Sequence, residues 1–555
     1  MSLIVNGTEI ENVIVIKRDT GVTTEIDLLN SQDGTIIWEK TAGAEFEVTR
    51  FSSNVYESSS SIASSFVAVS VTAGEKAASV SYGGITKTVD PNTTAGVYFG
   101  KYGSAEDDGT PTSGKMKISN AIGVAGYSFS SAKSTTSICN CITAINKWGT
   151  IENVGDNLCK GSTITSVVFS NSIRTIGVSA FETCTSLQSV IFENGATSIG
   201  NRAFYGCSAL ANLVFSNTIQ DIGEYAFNNC KLIPTITLPS SLKNVGTFAF
   251  YNCELLQFSS IPTGVESIGR LAFSGCLALN ISSIPTGIKT LGGSAFTGTA
   301  ITRINSSSGY TIDLSGLTQL TTYENCFGLD GTALMLPTSL TYVSISADHT
   351  RINTTTNGLF DVQSRTNITS LSYSASSSSP IYRILLPNNI SNMTISLSSK
   401  NITMLNSSTL GLCDLTKYST FNASTKLNGG FTSVRFSGSL TTIPQGIFQS
   451  CQTMVDIVIP SSVKSILPNA FTNCGTANAT KDIPCTATVN FAVRTGWQVY
   501  EEQADGTFAW KEIYESTLNQ TTMGANYLTA PKALCLTSTN GYPNEGYADF
   551  EWKHA

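Results

Sequence analysis

The chain has 555 residues, of which 41% are hydrophobic and 13% are charged, and its net charge at pH 7 is −7. This apolar content excludes a disordered chain and, at roughly 100–200 residues per domain, provides for about three or four structural units. The negative charge excludes the usual nucleic-acid-binding protein, because contacts between basic side chains and phosphates supply most of that affinity.

Residues 1–95 alternate apolar and polar side chains with the period of a β-strand, for example in segments 13–16, 23–28, 35–39 and 65–71. Turn-forming pairs such as Asn6-Gly7 and Asp33-Gly34 separate the strands. We therefore predict an N-terminal β-sandwich over residues 1–95. Its position ahead of the repeats of residues 161–300 resembles that of the anchoring domain of a phage tail or fibre protein, which implies binding to other virion proteins.

The first residues do not have the pattern of a signal peptide. Glu9 and Glu11 interrupt the apolar positions, and no basic region precedes them. No apolar stretch of the sequence approaches the roughly 20 residues that cross a bilayer. We expect a chain that is made in the cytoplasm, is not exported by the usual route and is not inserted into a membrane.

Residues 96–160 are predicted to form a Gly/Ser-rich linker followed by an atypical repeat that caps the region after it. From residue 161 to residue 300 an Ala-Phe pair recurs every 23 residues, six times in all. A glycine preceded by an apolar residue lies four positions before each phenylalanine. A cysteine lies three positions after the first five, and Thr299 replaces it in the sixth copy.

One such unit cannot bury its own apolar side chains, so we expect the units to stack into a solenoid with strands about 4.8 Å apart. The glycine predicts a tight bend, either because a side chain would collide there or because φ is positive. The phenylalanines and cysteines are predicted to line the interior: Phe181, Cys184, Phe204, Cys207, Phe227, Cys230, Phe250, Cys253, Phe273, Cys276 and Phe296.

The pattern I-G-x-x-A-F-x-x-C-x-x-L resembles the BspA-like class of leucine-rich repeats, which occurs in bacterial, protozoan and phage surface proteins. The similarity covers about residues 160–300 and 435–475, roughly a third of the chain. The resemblance implies a β-solenoid that serves adhesion or recognition. It does not imply an enzyme.

Between residues 301 and 430 the 23-residue spacing is lost, and runs such as Thr354-Thr355-Thr356 dominate. We interpret this region as irregular coils of the same solenoid, and the alternative is an inserted β domain. Regular repeats return over residues 431–480, where Phe448 and Phe471 are again 23 residues apart.

Residues 481–555 are rich in aromatic side chains and are predicted to form a small β-rich module, including a hairpin that turns at Asp505-Gly506. The module is interpreted either as a cap packed by its aromatic side chains or as a binding tip whose rings stack on sugars. The candidate surface-binding aromatics are Trp497, Tyr500, Trp510, Tyr514 and Trp552.

Other groups with chemical potential have simpler interpretations. One cysteine per coil is more typical of a buried thiol column than of a metal site, which needs paired ligand spacings. Asp348-His349 lacks the G-x-S-x-G nucleophile motif of a Ser-His-Asp site, so we expect a solvated loop there. We predict no catalytic residues, no metal site and no cofactor.

The sequence thus predicts an all-β, non-enzymatic protein with an N-terminal β-sandwich, a leucine-rich-repeat solenoid and a small C-terminal module. The first functional hypothesis is a phage virion protein, a tail or fibre component that recognises a glycan or protein on the bacterial surface. The alternatives are a bacterial cell-surface adhesin and a polysaccharide depolymerase. Fibre proteins are often oligomers, but no heptad repeat specifies one here.

Overall fold

The computed structural model describes residues 3–5, 8–10, 46–50, 66–126 without 83 and 101–113, 142–512 with internal gaps, and 551–554. The gaps are 307–310, 347, 376–378, 391, 398–403, 450, 452, 455, 473, 475–487, 494 and 503–506. The predicted strands at 13–16, 23–28 and 35–39 and the candidate Tyr514 lie outside the described residues. Every regular element in the described part is a β-strand.

The chain divides into two compact units, Met1–Ala44 and Glu45–Ala555. In the first unit, two short strands form an antiparallel pair, β1 (Leu3–Val5) and β2 (Thr8–Ile10).

The second unit begins with antiparallel strands. One sheet has the order β10-β3-β8-β5-β6, and β7, β4 and β9 form a second antiparallel group. The boundary expected at residue 95 falls within β7, and β8 to β10 occupy part of the predicted linker. These strands are β3 (Phe46–Arg50), β4 (Phe66–Ala73), β5 (Ala78–Tyr82), β6 (Ile85–Val89), β7 (Thr94–Gly100), β8 (Gly114–Ser119), β9 (Ala121–Gly126) and β10 (Ile142–Lys147).

The antiparallel group continues directly into a parallel solenoid. β9 pairs in parallel with β11, and the same sheet then runs through β13, β15, β17, β18, β19 and β20. A second face of the coils holds β12, β14 and β16. The strands are β11 (Asn153–Val154), β12 (Ser166–Phe169), β13 (Thr175–Ile176), β14 (Ser189–Phe192), β15 (Ser198–Ile199), β16 (Asn212–Val214), β17 (Asp221–Ile222), β18 (Asn244–Val245), β19 (Ser267–Ile268) and β20 (Thr290–Leu291).

The repeated phenylalanines and cysteines form two columns in the interior, and all eleven predicted side chains are fully buried. Neighbouring rings from Phe181 to Phe296 stack with centroids 5.2–5.4 Å apart. The Sγ atoms of four successive cysteines each donate to the carbonyl of the phenylalanine one coil earlier at 3.1 Å, beginning with Cys207 to Phe181. The thiols therefore also satisfy buried backbone acceptors.

Each regular coil contains two residues in the left-handed conformation. The first lies before the Ala-Phe pair and the second before the cysteine, as Arg202 (φ 57°) and Gly206 (φ 71°) illustrate. Their amides donate to the next coil, Arg202 to the Glu224 carbonyl at 2.7 Å and Gly206 to the Asn228 carbonyl at 2.8 Å. Positive φ is thus the conformation in which these amides join neighbouring coils. It costs roughly 1–2 kcal/mol for a residue with an ordinary side chain.

Residues 312–428 contribute parallel strands to two further sheets. One is a ten-stranded sheet that begins at β21 and continues beyond this region, and the other contains β22, β24, β27, β29 and β32. The strands of this region are β21 (Ile312–Asp313), β22 (Thr322–Glu324), β23 (Ala333–Met335), β24 (Tyr342–Ile345), β25 (Arg351–Ile352), β26 (Leu359–Asp361), β27 (Ser370–Ala375), β28 (Arg383–Leu385), β29 (Asn392–Leu397), β30 (Met404–Leu405), β31 (Leu412–Leu415) and β32 (Lys426–Asn428).

Three short steps account for the lost 23-residue spacing. Ile304 and Ile312, Ile352 and Phe360, and Leu405 and Cys413 pair in parallel only eight residues apart. Each step starts with an asparagine of positive φ whose Oδ1 accepts from a backbone amide of an earlier coil. The three contacts are Asn305 with Ile284 at 3.3 Å, Asn353 with Leu336 at 2.7 Å and Asn406 with Leu386 at 2.8 Å.

The last solenoid strands are followed by an antiparallel group in the order β36-β40-β38-β39. β37, which lies in the predicted C-terminal module, pairs in parallel with β35. The strands are β33 (Ser433–Phe436), β34 (Thr442–Ile443), β35 (Asp456–Ile459), β36 (Ser465–Ile466), β37 (Thr488–Phe491), β38 (Trp497–Glu502), β39 (Phe508–Glu512) and β40 (Trp552–His554). The prediction of an all-β fold with a solenoid is confirmed, and the solenoid has about 13 turns.

The repeated glycine after the apolar residue is required by close backbone approach, and its φ is not positive. A Cβ on Gly246 would lie 2.6 Å from both the amide nitrogen of Glu224 and the carbonyl carbon of Gly223. We expect Gly246→Ala to lower the free energy of unfolding by about 2–3 kcal/mol, because backbone atoms of the preceding coil would have to move.

The matched control for this prediction is Gly264→Ala, whose Cβ would lie 3.4 Å from the flexible end of Lys243 and no nearer than 3.6 Å to a backbone atom. It should stay within about 0.5 kcal/mol of the parent protein. Denaturant unfolding of the two variants tests the prediction, and equal stabilities would contradict it.

Candidate functional site

The hairpin of β38 and β39 and the last strand β40 form a three-stranded antiparallel group at the end of the solenoid. Tyr500 lies directly opposite Trp510, and Gln498 lies opposite Lys553. Because side chains alternate between the two faces of a strand, this register places one set toward the solenoid core and the other toward solvent.

The inner face closes the core. Trp497 and Trp552 are 1% and 0% exposed, and both rings pack against Phe491, with centroids 5.3 and 6.0 Å away. The Trp497 indole donates to the carbonyl of Val493 at 2.9 Å. These two tryptophans therefore act as packing residues, which corrects their inclusion among the candidate surface-binding aromatics.

The outer face presents three aromatic rings, Tyr500, Phe508 and Trp510, which are 40%, 56% and 36% exposed. Tyr500 lies between the other two, 5.7 Å from Phe508 and 5.1 Å from Trp510 between centroids. The Lys553 ammonium lies 5.4 Å from the centre of the Trp510 ring. We call Tyr500, Phe508, Trp510 and Lys553 the C-terminal aromatic face.

Phe508 is absent from the sequence-based candidates, although the signal for it was present. It lies two residues before Trp510 in a strand, so both side chains fall on one face once the hairpin register is known. The assembled face offers apolar ring surface with an ammonium donor at its rim. Large rings on a rigid sheet lose little conformational freedom on binding, which suits recognition of a partner surface.

The cysteine columns do not provide a reactive or metal-binding centre. Burial raises the pKa of Cys276 to about 12 and that of Cys451 to about 11, so these thiols stay protonated at neutral pH. Among the described residues, no group of three or more His, Cys, Asp or Glu side chains is placed to hold a metal ion. In the same part of the chain, no helix is long and apolar enough to cross a membrane.

The expectation of a solvated loop at Asp348-His349 is wrong for the histidine, which is only 1% exposed. Its Nδ1 lies 2.9 Å from the Thr332 hydroxyl, whereas its buried Nε2 has no hydrogen-bond partner. Burial lowers the pKa of His349 to about 4, although the Asp330 and Asp348 carboxylates and the contact with Thr332 favour the charged form. The imidazole is therefore neutral at pH 7.

The sequence matches the family model of the BspA type leucine rich repeat region over residues 152–259, 197–320, 247–357 and 418–489. Together these matches span 152–357 and 418–489, about half of the chain. With the repeated coils of the fold, they define a leucine-rich-repeat protein. The chain belongs to the BspA type leucine-rich-repeat family.

The chain also has limited similarity to solved structures. A leucine rich cell surface protein of Faecalibacterium prausnitzii A2-165 is 21% identical and has a TM-score of 0.31, with 63% of this chain and 84% of that chain covered. A leucine-rich repeat protein of Bacteroides ovatus ATCC 8483 is 20% identical, with a TM-score of 0.35 and coverages of 59% and 92%. No curated protein shows significant similarity to the sequence.

The buried histidine predicts a specific loss of stability in acid. With a pKa near 6.5 when unfolded and about 4 when folded, the unfolded state binds more protons between these values. The free energy of unfolding should therefore fall by about 3 kcal/mol from this group as the pH falls from 6.5 to 4.

His349→Asn removes the titrating group and keeps a side chain able to hydrogen-bond Thr332. Unfolding curves at pH 7 and pH 4.5 should show a smaller pH effect in this variant than in the parent protein. The same pH effect in both proteins would contradict the assignment.

Proposed function

We propose that this protein is a non-enzymatic recognition protein that binds a surface glycan through its C-terminal aromatic face. The observation that carries the proposal is the exposure of Tyr500, Phe508 and Trp510 on one face of a sheet, while Trp497 and Trp552 fix that sheet to the solenoid core. The interior aromatics explain the stability of the module. The outer three rings lie outside this core and remain 36–56% exposed.

The face has the chemistry of a sugar-binding surface. Sugar rings present apolar C–H groups on one side and hydroxyls at their periphery, which match an aromatic ring surface and flanking polar side chains. Lys553 and the half-buried Gln498 lie on the outer side of the same three strands and supply hydrogen-bonding groups. This arrangement favours a glycan over a protein as the ligand of the face.

We expect Trp510→Ala and Tyr500→Ala each to weaken glycan binding about tenfold, which corresponds to about 1.4 kcal/mol for one ring. The assay is an array of bacterial and host glycans, followed by titration of the best soluble oligosaccharide. Tyr382→Ala is the matched control, because Tyr382 is an exposed aromatic on the solenoid, away from this face.

Three results would reject the proposal: no glycan binding, equal binding by both face variants and the parent, or face-dependent binding to protein ligands alone. Release of new reducing ends from a bound polysaccharide would instead identify the depolymerase.

We propose two places in which the protein could act. The tail or fibre of a phage virion and the bacterial cell surface both expose a recognition protein to its ligand. Peptide mass spectrometry of purified virus particles and of the host cell envelope distinguishes them. Recovery with the particles supports the virion role, and recovery with the envelope alone supports the adhesin.

A further inference from the structure

Two columns of left-handed residues run along the same coils, but they are filled differently. The column before the cysteines contains Thr183, Gly206, Asn229, Asn252, Gly275 and Gly298, so five of its six residues are glycine or asparagine. These residue types adopt positive φ at least cost. The column before the Ala-Phe pair instead contains Ser179, Arg202, Tyr225, Phe248, Leu271 and Ser294.

The backbone does not require large side chains in this second column. In coils nearer to either end of the repeats, the corresponding left-handed residues are Asn157, Asn325, Gly446 and Asn469. Arg202, Tyr225 and Phe248 donate their amides to the next coil at 2.7–2.9 Å, and Asn157 and Gly446 do the same at 3.0 and 3.1 Å. Among the described residues of this column, large side chains thus occur in four consecutive coils, against the backbone preference.

Outward from these positions the side chains form a continuous cluster, the aromatic strip, made of Arg202, Tyr205, Tyr225, Phe248 and Tyr251. Tyr225 and Phe248 stack with centroids 4.7 Å apart and planes 10° apart. The Arg202 guanidinium lies over Tyr205 and Tyr225 at 4.6 and 5.7 Å, and Tyr251 meets Phe248 edge to face at 5.3 Å.

This packing decides what the strip is able to bind. The Tyr225 ring is stacked on Phe248 and has the Arg202 guanidinium over it, and Tyr251 meets Phe248 edge to face. The central ring of the strip, Tyr225, therefore offers no free face for a sugar ring. Ring edges carry partial positive charge and suit carbonyl and carboxylate oxygens.

The charged end of the strip also suits a carboxylate. Glu182 contacts Arg202 at Nε, 3.7 Å away, and also pairs with Lys160 at 3.0 Å and hydrogen-bonds the Ser179 side chain. Within the described residues, the terminal amino groups of Arg202 make no hydrogen bond, so they are available to a second carboxylate. Leu271 continues the left-handed column with an aliphatic side chain.

We propose that the aromatic strip is a binding site for a protein segment that carries a carboxylate next to aliphatic side chains. Arginine and tyrosine are the residue types that dominate binding energy in protein interfaces, and here they lie on rigid, hydrogen-bonded coils. The site is distinct from the C-terminal aromatic face and does not depend on what that face binds.

The test uses the full chain and a phage-displayed library of random 12-residue peptides. Selection against the parent protein, with counter-selection against Tyr225→Asn/Phe248→Asn, should enrich peptides with Asp or Glu beside Leu, Ile or Val. A synthetic peptide from this pool should bind the double variant at least tenfold more weakly, and Arg202→Gln about tenfold more weakly. Ser294→Asn, in the same column but outside the strip, should bind it like the parent.

Thermal unfolding separates a binding role from a structural one. The double variant should unfold at the same temperature as the parent or higher, because asparagine relieves the left-handed strain. A lower unfolding temperature, a library without strip-dependent peptides, or strip-dependent binding to glycans alone would overturn the proposal. Loss of glycan binding in the Trp510 variant would leave it standing.

Discussion

The coil-to-coil hydrogen bonding of the A-F-x-x-C segment is the constraint on which the rest of the solenoid depends. Amides of successive coils meet the next coil at two left-handed residues and at the phenylalanine between them, for example Phe204 to the Ala226 carbonyl at 2.8 Å. This close approach leaves no room for a Cβ at the preceding glycine. It also stacks the phenylalanines and brings each thiol to a carbonyl of the coil before it. One backbone geometry therefore accounts for the repeat pattern in the sequence.

The 23-residue spacing was enough to predict the solenoid, because identical apolar side chains at a fixed interval are buried when successive units stack. It could not predict the eight-residue steps, although the pattern of Ile or Leu, Asn and three Ser or Thr residues marks all three in the sequence. The burial of Trp552 in the core was not predictable either. Its burial depends on β40 pairing with β36, some 90 residues earlier in the chain. The arginine, tyrosine and phenylalanine of the strip do not signal positive φ.

Interior and exterior side chains of the coils are under different constraints. Interior positions are fixed by packing and by the hydrogen bonds of the thiols, so little variation is tolerated there. Exterior positions are free unless the backbone conformation restricts them. Three residues of the strip, Arg202, Tyr225 and Phe248, occupy one of the two columns in which it does. The C-terminal aromatic face instead uses an antiparallel sheet, on which exposed rings carry no backbone strain. The two surfaces thus place aromatic side chains by different means and at different conformational cost.

Both ends of the solenoid are joined by hydrogen bonds to antiparallel strands, β9 with β4 and β7 at one end and β36 with β40 and β38 at the other. An uncovered parallel edge would be a template for another chain. The coils between these ends contact mainly their neighbours, so a coil can be gained or lost without redesigning either terminus. Each such change would move the C-terminal rings by about one strand spacing, roughly 4.8 Å. The number of repeats therefore sets the distance between the two ends of the solenoid. Selection can adjust this distance independently of what the protein binds.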